Sequence, residues 1–248
     1  MEKIGIIGGS GLGKLSLFEE SHTETVNTPY GAPSSSLLSG KIENKDVIII
    51  SRHGREHTIP PSHVNYRANI YALKQAGCNH ILATSACGSL KEEYRMGDFV
   101  ILDQFIDFTK FRKNTFFDVF EPGMPVHTPM GKPFNETLRR IFIEICKSEN
   151  ITHHTTGTAV SIEGPRFSTK AESFMFRGFG ADVINMTIAT ECTLANEMQI
   201  PYATLALVTD YDCWRENSEE VSWETVLENF NKSMPVMTDI LYKAILKI

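Results

Sequence analysis

No apolar run in the sequence reaches the ~18 consecutive residues that a bilayer-spanning helix requires, so no membrane-spanning helix is expected within it. The N-terminal MEKIGIIGGSG reaches glycine after one short apolar stretch, too little for the hydrophobic region of a signal peptide. Cysteine is scarce and scattered. Cys78, Cys87, Cys146, Cys192 and Cys213 are odd in number and form no CxxC pair. That argues against a disulfide framework and a zinc ribbon alike, and points to a reduced, cytoplasmic protein. Positive charge is also in deficit, with 24 Lys and Arg against 30 Asp and Glu and a net charge of −6, which argues against a nucleic-acid-coating role on electrostatic grounds. Linkers, low-complexity segments and internal repeats are missing too. The 248 residues therefore read as one domain, 1–248, able to bury one sizeable core.

What is present is an alternation of short apolar runs and helical stripes. Strands are expected at Ile4 to Gly8, around Ser36 to Gly40, at Val47 to Ser51, His80 to Thr84, Phe99 to Leu102, Gly157 to Ile162, Val183 to Asn185 and Tyr202 to Thr209. Helices are expected at Asn65 to Ala76, Pro133 to Ser148, Ala171 to Arg177 and Ala189 to Met198. A last helical stripe runs from Trp223 to Ile245, and Pro235 inside it should kink it or mark a break. This order predicts an α/β fold with a mixed or largely parallel sheet. Between Phe105 and Lys132 the chain is aromatic, aperiodic and interrupted by proline; a loop of that length is usually an interface or a lid.

Chemistry is concentrated near the C-terminus, in ALVTDYDCW. An apolar run feeds directly into Asp210 and Asp212. In an extended chain, side chains at i and i+2 share a face ~6.6 Å apart. At an effective dielectric of ~20 their repulsion is roughly 2.5 kcal/mol, enough to raise one carboxyl pKa by nearly two. An acid poised in this way can lend a proton at neutral pH. The competing reading is a helix N-terminus dressed with acidic caps.

Other strand ends carry small or basic groups. GGSGLGK over 8–14 matches the opening of a P-loop, but Leu15 stands where Ser or Thr must hold magnesium. What remains is an anion nest with the Ser10 hydroxyl beside it, or a plain tight turn. HGREH over 53–57 matches the inverted zinc-protease pattern, yet Gly54, Pro60 and Pro61 break the helix that pattern needs, and Arg52 and Arg55 place positive charge where a cation would sit. No metal site is expected there. Arg52 and His53, just after a strand, read as an anion contact or as a solvated basic turn. Ser85 and Ala86 follow the strand His80 to Thr84, and Met186 and Thr187 follow Val183 to Asn185. In EGPRF the ring of Phe167 suits stacking on a planar base, although a core Phe is the commoner explanation of any one aromatic. An anion, a flat heterocycle and an acid to protonate it suit phosphorolysis of a nucleoside.

IGIIGGSGL, SRHGREHTIPPSHVNYRANI, SACGSL, GDFVILDQFID, IEGPRFST, ADVINMT and VTDYDCW, in that order, closely resemble the methylthioadenosine phosphorylase branch of the trimeric purine nucleoside phosphorylases. The resemblance implies the single-domain nucleoside phosphorylase fold, a mixed central β-sheet flanked by helices. It implies reversible phosphorolysis of 5′-methylthioadenosine to adenine and 5-methylthioribose 1-phosphate, with phosphate as co-substrate and no metal or organic cofactor. By the same resemblance Ser10, Arg52, His53, Ser85, Ala86 and Thr187 would hold phosphate. Met186 would contact the ribose, and Phe167 and Ser168 would line the base site. Asp210 would protonate N7 of the leaving purine, and Asp212 would accept from the 6-amino group. Val226 and Leu227 would flank the 5′-thioether, joined by His127 from a neighbouring subunit of a homotrimer.

Two departures concern the 5′ pocket: Trp223 stands where the family commonly has a small aliphatic residue, and the chain stops at Ile248, short of family members with a longer tail. Alternative substrates are 5′-methylthioinosine and ordinary purine nucleosides. A non-catalytic nucleoside-binding protein is the alternative of a different class.

Overall fold

A computed structural model of the chain describes residues 2–8, 21–216 and 221–248. Its centre is β5 (His80–Ser89), a ten-residue strand that runs on through Ser85, Ala86, Cys87 and Gly88, where the sequence suggested a loop. The extension has a physical cause. β11 (Tyr202–Asp210) lies parallel to β5 from Tyr202↔Ile81 to Asp210↔Gly88, so the ladder continues past Thr84. All nine residues of β11 are buried, as expected for a strand covered on both faces.

On one side of β5 lies β1 (Lys3–Gly8), then β4 (Lys45–Ser51), β3 (Leu37–Ile42) and β2 (Ser21–Glu24). On the other side the end of β5 pairs antiparallel with β10 (Val183–Asn185), which is followed by β9 (Thr158–Ile162) and β7 (Gln104–Phe108). Off this path β11 also pairs with β6 (Phe99–Ile101), and β6 with β8 (His153–His154). The sheet is mixed: β1, β4, β5 and β11 are parallel, as are β7, β9 and β10, while β2 and β3 run against their neighbours and β6 is antiparallel to β11 but parallel to β8.

Among the described residues, five α-helices flank it. α1 (Tyr66–Gln75) is capped by the Asn65 side chain, α2 (Glu136–Ser148) by Asn135, and α3 (Lys170–Gly178) by a Thr169–Glu172 capping box. α4 (Ile188–Glu197) packs on α1, and α5 (Trp223–Lys247) on α2 and β11. Pro235 does not divide α5. One missing backbone donor is outweighed by the buried stripe of Val226, Phe230, Met237, Leu241 and Ile245 that seats the helix on the sheet. Part of the segment expected as loop is β7, which pairs with β9, and a substantial portion of the remainder up to 118 is tied down. Among the described residues, no helix is long and apolar enough to cross a membrane.

Candidate active site

The carboxyl ends of the parallel strands open onto one cleft of about 480 Å³. This is where open α/β sheets place ligands. Arg52 and His53 enter it from the end of β4, Ser85 and Ala86 from β5, Met186 and Thr187 from β10, and Asp210 and Asp212 from β11. Phe167 and Ser168 arrive on the loop after β9, and Val226 and Leu227 from the first turns of α5. Twelve of the fourteen residues singled out in the sequence thus share one cavity. Ser10 lies outside the described residues. His127 is exposed on the 109–132 loop, its ring 5.7 Å from Phe120, and does not line the cleft of its own chain.

Asp210 is almost fully buried, and burial pushes its carboxyl up to about 6, against the opposing donors of Thr209 Oγ1 at 2.9 Å and the Asp212 backbone N–H at 2.9 Å. The Asp212 charge adds the smallest push. The sequence reading assigned the shift to repulsion within the doublet. Desolvation carries it instead, because the two carboxylates are not an extended i, i+2 pair. After Asp210 the chain turns, Asp212 adopts φ +26°, and its N–H folds back onto Asp210. A positive φ on a non-glycine residue is uncommon and tends to accumulate at functional sites. Asp212 is buried and receives the Ser168 hydroxyl on both carboxylate oxygens, at 2.6 and 2.7 Å. The Asp210 carboxyl lies directly on the β5 backbone, where a Cβ on Gly88 would stand 2.7 Å from Asp210 Oδ1.

Arg52 is buried, and its charge is already matched. It meets Glu191 of α4 through two parallel hydrogen bonds, Nε to Oε1 and Nη2 to Oε2 (3.0 Å), and donates from Nη1 to the Thr84 carbonyl at 3.0 Å. Tyr202 donates its hydroxyl to the same Glu191 at 2.9 Å. A guanidinium has five N–H donors, so two remain for a ligand. His53 is not a cation: burial first, and Arg52 second, lower its pKa to about 3. Its Nδ1 faces the Ile59 carbonyl at 2.8 Å and must donate there. The structure gives the HGREH motif a packing use. The ring of His57, its pKa lowered by burial and by Arg52, packs at a tilt against both His53, at 4.5 Å, and Trp223, at 4.8 Å. Trp223 therefore walls the cleft mouth beside Val226 and Leu227.

Three polar residues at the site escaped the sequence reading. Glu191 fixes Arg52. Asn185 accepts the backbone N–H groups of Thr187 at 2.9 Å and Ile188 at 3.0 Å, which sets the turn that presents Thr187. Arg112 donates to the Met186 carbonyl. Only Asn185 left a signal, as an Asx-type turn residue two positions before Thr187.

The family model of the phosphorylase superfamily matches residues 3–246, a span that takes in the mixed sheet and the residues lining the cleft. Similar chains narrow the class. S-methyl-5′-thioadenosine phosphorylase of Xenopus tropicalis is 52% identical, covering 99% of this chain and 89% of the relative, and that of Danio rerio is 49% identical over the same shares. The structure of methylthioadenosine phosphorylase from Schistosoma mansoni in complex with adenine superposes with a TM-score of 0.94 at 43% identity, covering 99% of this chain and 91% of that one. A mutant of the adenosine/methylthioadenosine phosphorylase from the same organism, in complex with methylthioadenosine, gives a TM-score of 0.92 at 42% identity with the same coverage. The chain belongs to the S-methyl-5′-thioadenosine phosphorylase family.

Proposed function

We propose that this protein catalyses phosphorolysis of 5′-methylthioadenosine, releasing adenine and 5-methylthioribose 1-phosphate. The observation that carries the proposal is Asp210, a buried carboxyl raised to about 6 in a cleft that Arg52 also lines. As the glycosidic bond stretches, the ribose gains positive character and the purine negative charge. Asp210 supplies a proton to N7, and phosphate answers the ribose charge before its oxygen bonds to C1′. Phosphate is held by Arg52, His53, Ser85, Ala86, Thr187 and Ser10. His53, being neutral, contributes hydrogen bonding and no charge. Met186 faces the ribose, Phe167 the base, and Ser168 holds Asp212 against the 6-amino group. Val226 and Leu227 receive the 5′-thioether.

The reaction takes inorganic phosphate as co-substrate and uses no metal or organic cofactor. The chain acts as one catalytic unit over 1–248, in the cytoplasm, as a homotrimer in which His127 enters a neighbour's cleft. Exposed apolar side chains on its loop support that assembly: Phe111 is 87%, Val119 86% and Met124 69% accessible.

Phosphate-dependent base release from methylthioadenosine, methylthioinosine, adenosine and inosine, run side by side, tests the proposal. Methylthioadenosine should give the highest kcat/KM, and binding without base release in phosphate would sink the enzyme reading. Adenosine is the second substrate to watch, since the solved Schistosoma relative is named for both nucleosides.

Asp212→Asn should shift selectivity from 6-amino toward 6-oxo purines by about tenfold, because the amide can donate to O6 while a carboxylate can only accept. An unchanged ratio of kcat/KM for adenosine and inosine would mean that Asp212 does not read the 6-position.

A further inference from the structure

β9 and β10 run parallel and paired as far as Asn185↔Ser161, and then their chains part. One continues into Glu163, Gly164 and Pro165 toward Phe167 and Ser168. The other turns at Met186 and Thr187 into α4. The carbonyls of Ile162, at the end of the β7–β9 ladder, and of Glu163 and Met186, beyond the strands, meet at this fork. Arg112, four residues beyond β7, fills it.

The Arg112 side chain is 2% exposed, and all five of its N–H donors meet acceptors. Nε donates to Glu163 Oε1 at 3.1 Å. Nη1 donates to the Tyr66 hydroxyl at 2.8 Å and to the Met186 carbonyl. Nη2 donates to the carbonyls of Ile162 at 3.3 Å and Glu163 at 2.6 Å. The guanidinium also lies 5.0 Å from the centre of the Tyr66 ring. Glu163 closes the clasp by accepting the backbone N–H groups of Lys110 at 2.6 Å and Phe111 at 3.1 Å.

We propose that Arg112 is a positioning residue that sets the ribose side of the cleft, at Met186, relative to the base side, at Phe167; this rests on the phosphorolysis reading above. Three carbonyls and a carboxylate arranged around one plane call for a planar fork of donors, which an ammonium on a flexible stem does not reproduce. The two sides differ in how else they are held. The base-side loop has a second anchor, because Ser168 donates to Asp212 and its carbonyl accepts from Cys213 Sγ at 3.3 Å. Met186 reaches that loop through the guanidinium and by packing its thioether on Gly164, where φ is +66° and a Cβ would lie 2.5 Å from Met186 Sδ. Loosening Arg112 therefore misplaces the ribose contact while leaving the base contact. The same segment opens the exposed 109–132 loop, so the site and the surface that faces a second copy share one pin.

Calorimetric titration of wild type and Arg112→Lys with methylthioadenosine and with free adenine tests this. The nucleoside should bind about tenfold more weakly to the variant, with adenine changed by less than about threefold, as expected for one or two lost buried hydrogen bonds on the ribose side. Equal weakening of both ligands together with a lowered Tm would reduce Arg112 to a structural role and overturn the proposal, as would no change in either. Hydrogen exchange on the wild-type enzyme gives a readout that needs no variant to fold. Methylthioadenosine should slow exchange of 109–112 and adenine should not; equal protection, or none, overturns the proposal. Base release assayed in parallel on the wild type separates the two readings: its absence sinks phosphorolysis, while the binding contrast still decides Arg112.

Discussion

Asp210→Asn is expected to lower the rate of base release by about 10²–10⁴, the usual worth of general acid help, and to make the folded protein more tolerant of alkaline pH. Both effects come from one cause. Burial raises the carboxyl from its ordinary 3.8 to about 6, so the folded state prefers the protonated acid. A group whose folded pKa is raised contributes stability that is fully present below 3.8 and lost as pH rises through 6. Above that pH the wild type carries a desolvated carboxylate that costs of the order of ~2–3 kcal/mol, and the amide removes this cost. The stability gain of the variant over wild type should therefore widen between pH 4 and pH 6 and stay level to pH 8. A gain independent of pH would mean that ionisation of Asp210 is not opposed by the fold.

Activity follows the same titration with opposite consequence. The free enzyme's kcat/KM should fall as pH rises above about 6, because the proton donor is lost. Since burial is the leading cause and Asp212 the least, Asp212→Asn should move that limb only slightly, whatever it does to base selectivity.

The strands that carry the site were legible because their signals are local. Val183–Asn185 was placed to the residue, and the apolar run before Asp210 announced a buried strand end. Ser85 and Ala86 line the cleft with the other named residues, but in a strand rather than the expected loop. Small residues resemble a loop until a long parallel neighbour such as β11 supplies the ladder. The charge states were less legible. Spacing shows that Asp210 and Asp212 are close, but not that one is desolvated or that the chain turns between them. His53 reads as a basic residue until Ile59 and Arg52 are seen against it. Glu191 and Arg112 left no signal at all. Each is an ordinary charged residue in sequence, and the partner that gives it meaning lies 139 positions away for Glu191 and 74 for the Arg112–Met186 contact.

Glu191→Gln is the substitution expected to destabilise the protein most. Removing one partner of a buried ion pair leaves the other charge uncompensated, at a typical cost of ~3–5 kcal/mol, and here it also weakens the acceptor of the Tyr202 hydroxyl. The effect on phosphate should run the other way. Among the described residues lining the cleft, Arg52 is the one arginine or lysine, and Glu191 neutralises it, while His53 and His57 are held uncharged. An incoming anion is therefore met by oriented donors rather than net positive charge. With Glu191 replaced, the unpaired guanidinium has more to gain from phosphate. Ligand stabilisation grows as RT ln(1 + [L]/Kd), so the rise in Tm on adding phosphate should be larger in Glu191→Gln than in wild type. Replacing both partners, as Arg52→Met with Glu191→Leu, should recover much of the lost stability, because a packed apolar pair avoids the desolvation of both charges. That double variant should show little rise in Tm with phosphate. If it remains as unstable as Glu191→Gln, packing around the pair rather than its charge sets the cost. If phosphate raises its Tm as much as it does that of the wild type, Arg52 is not the residue that holds the anion.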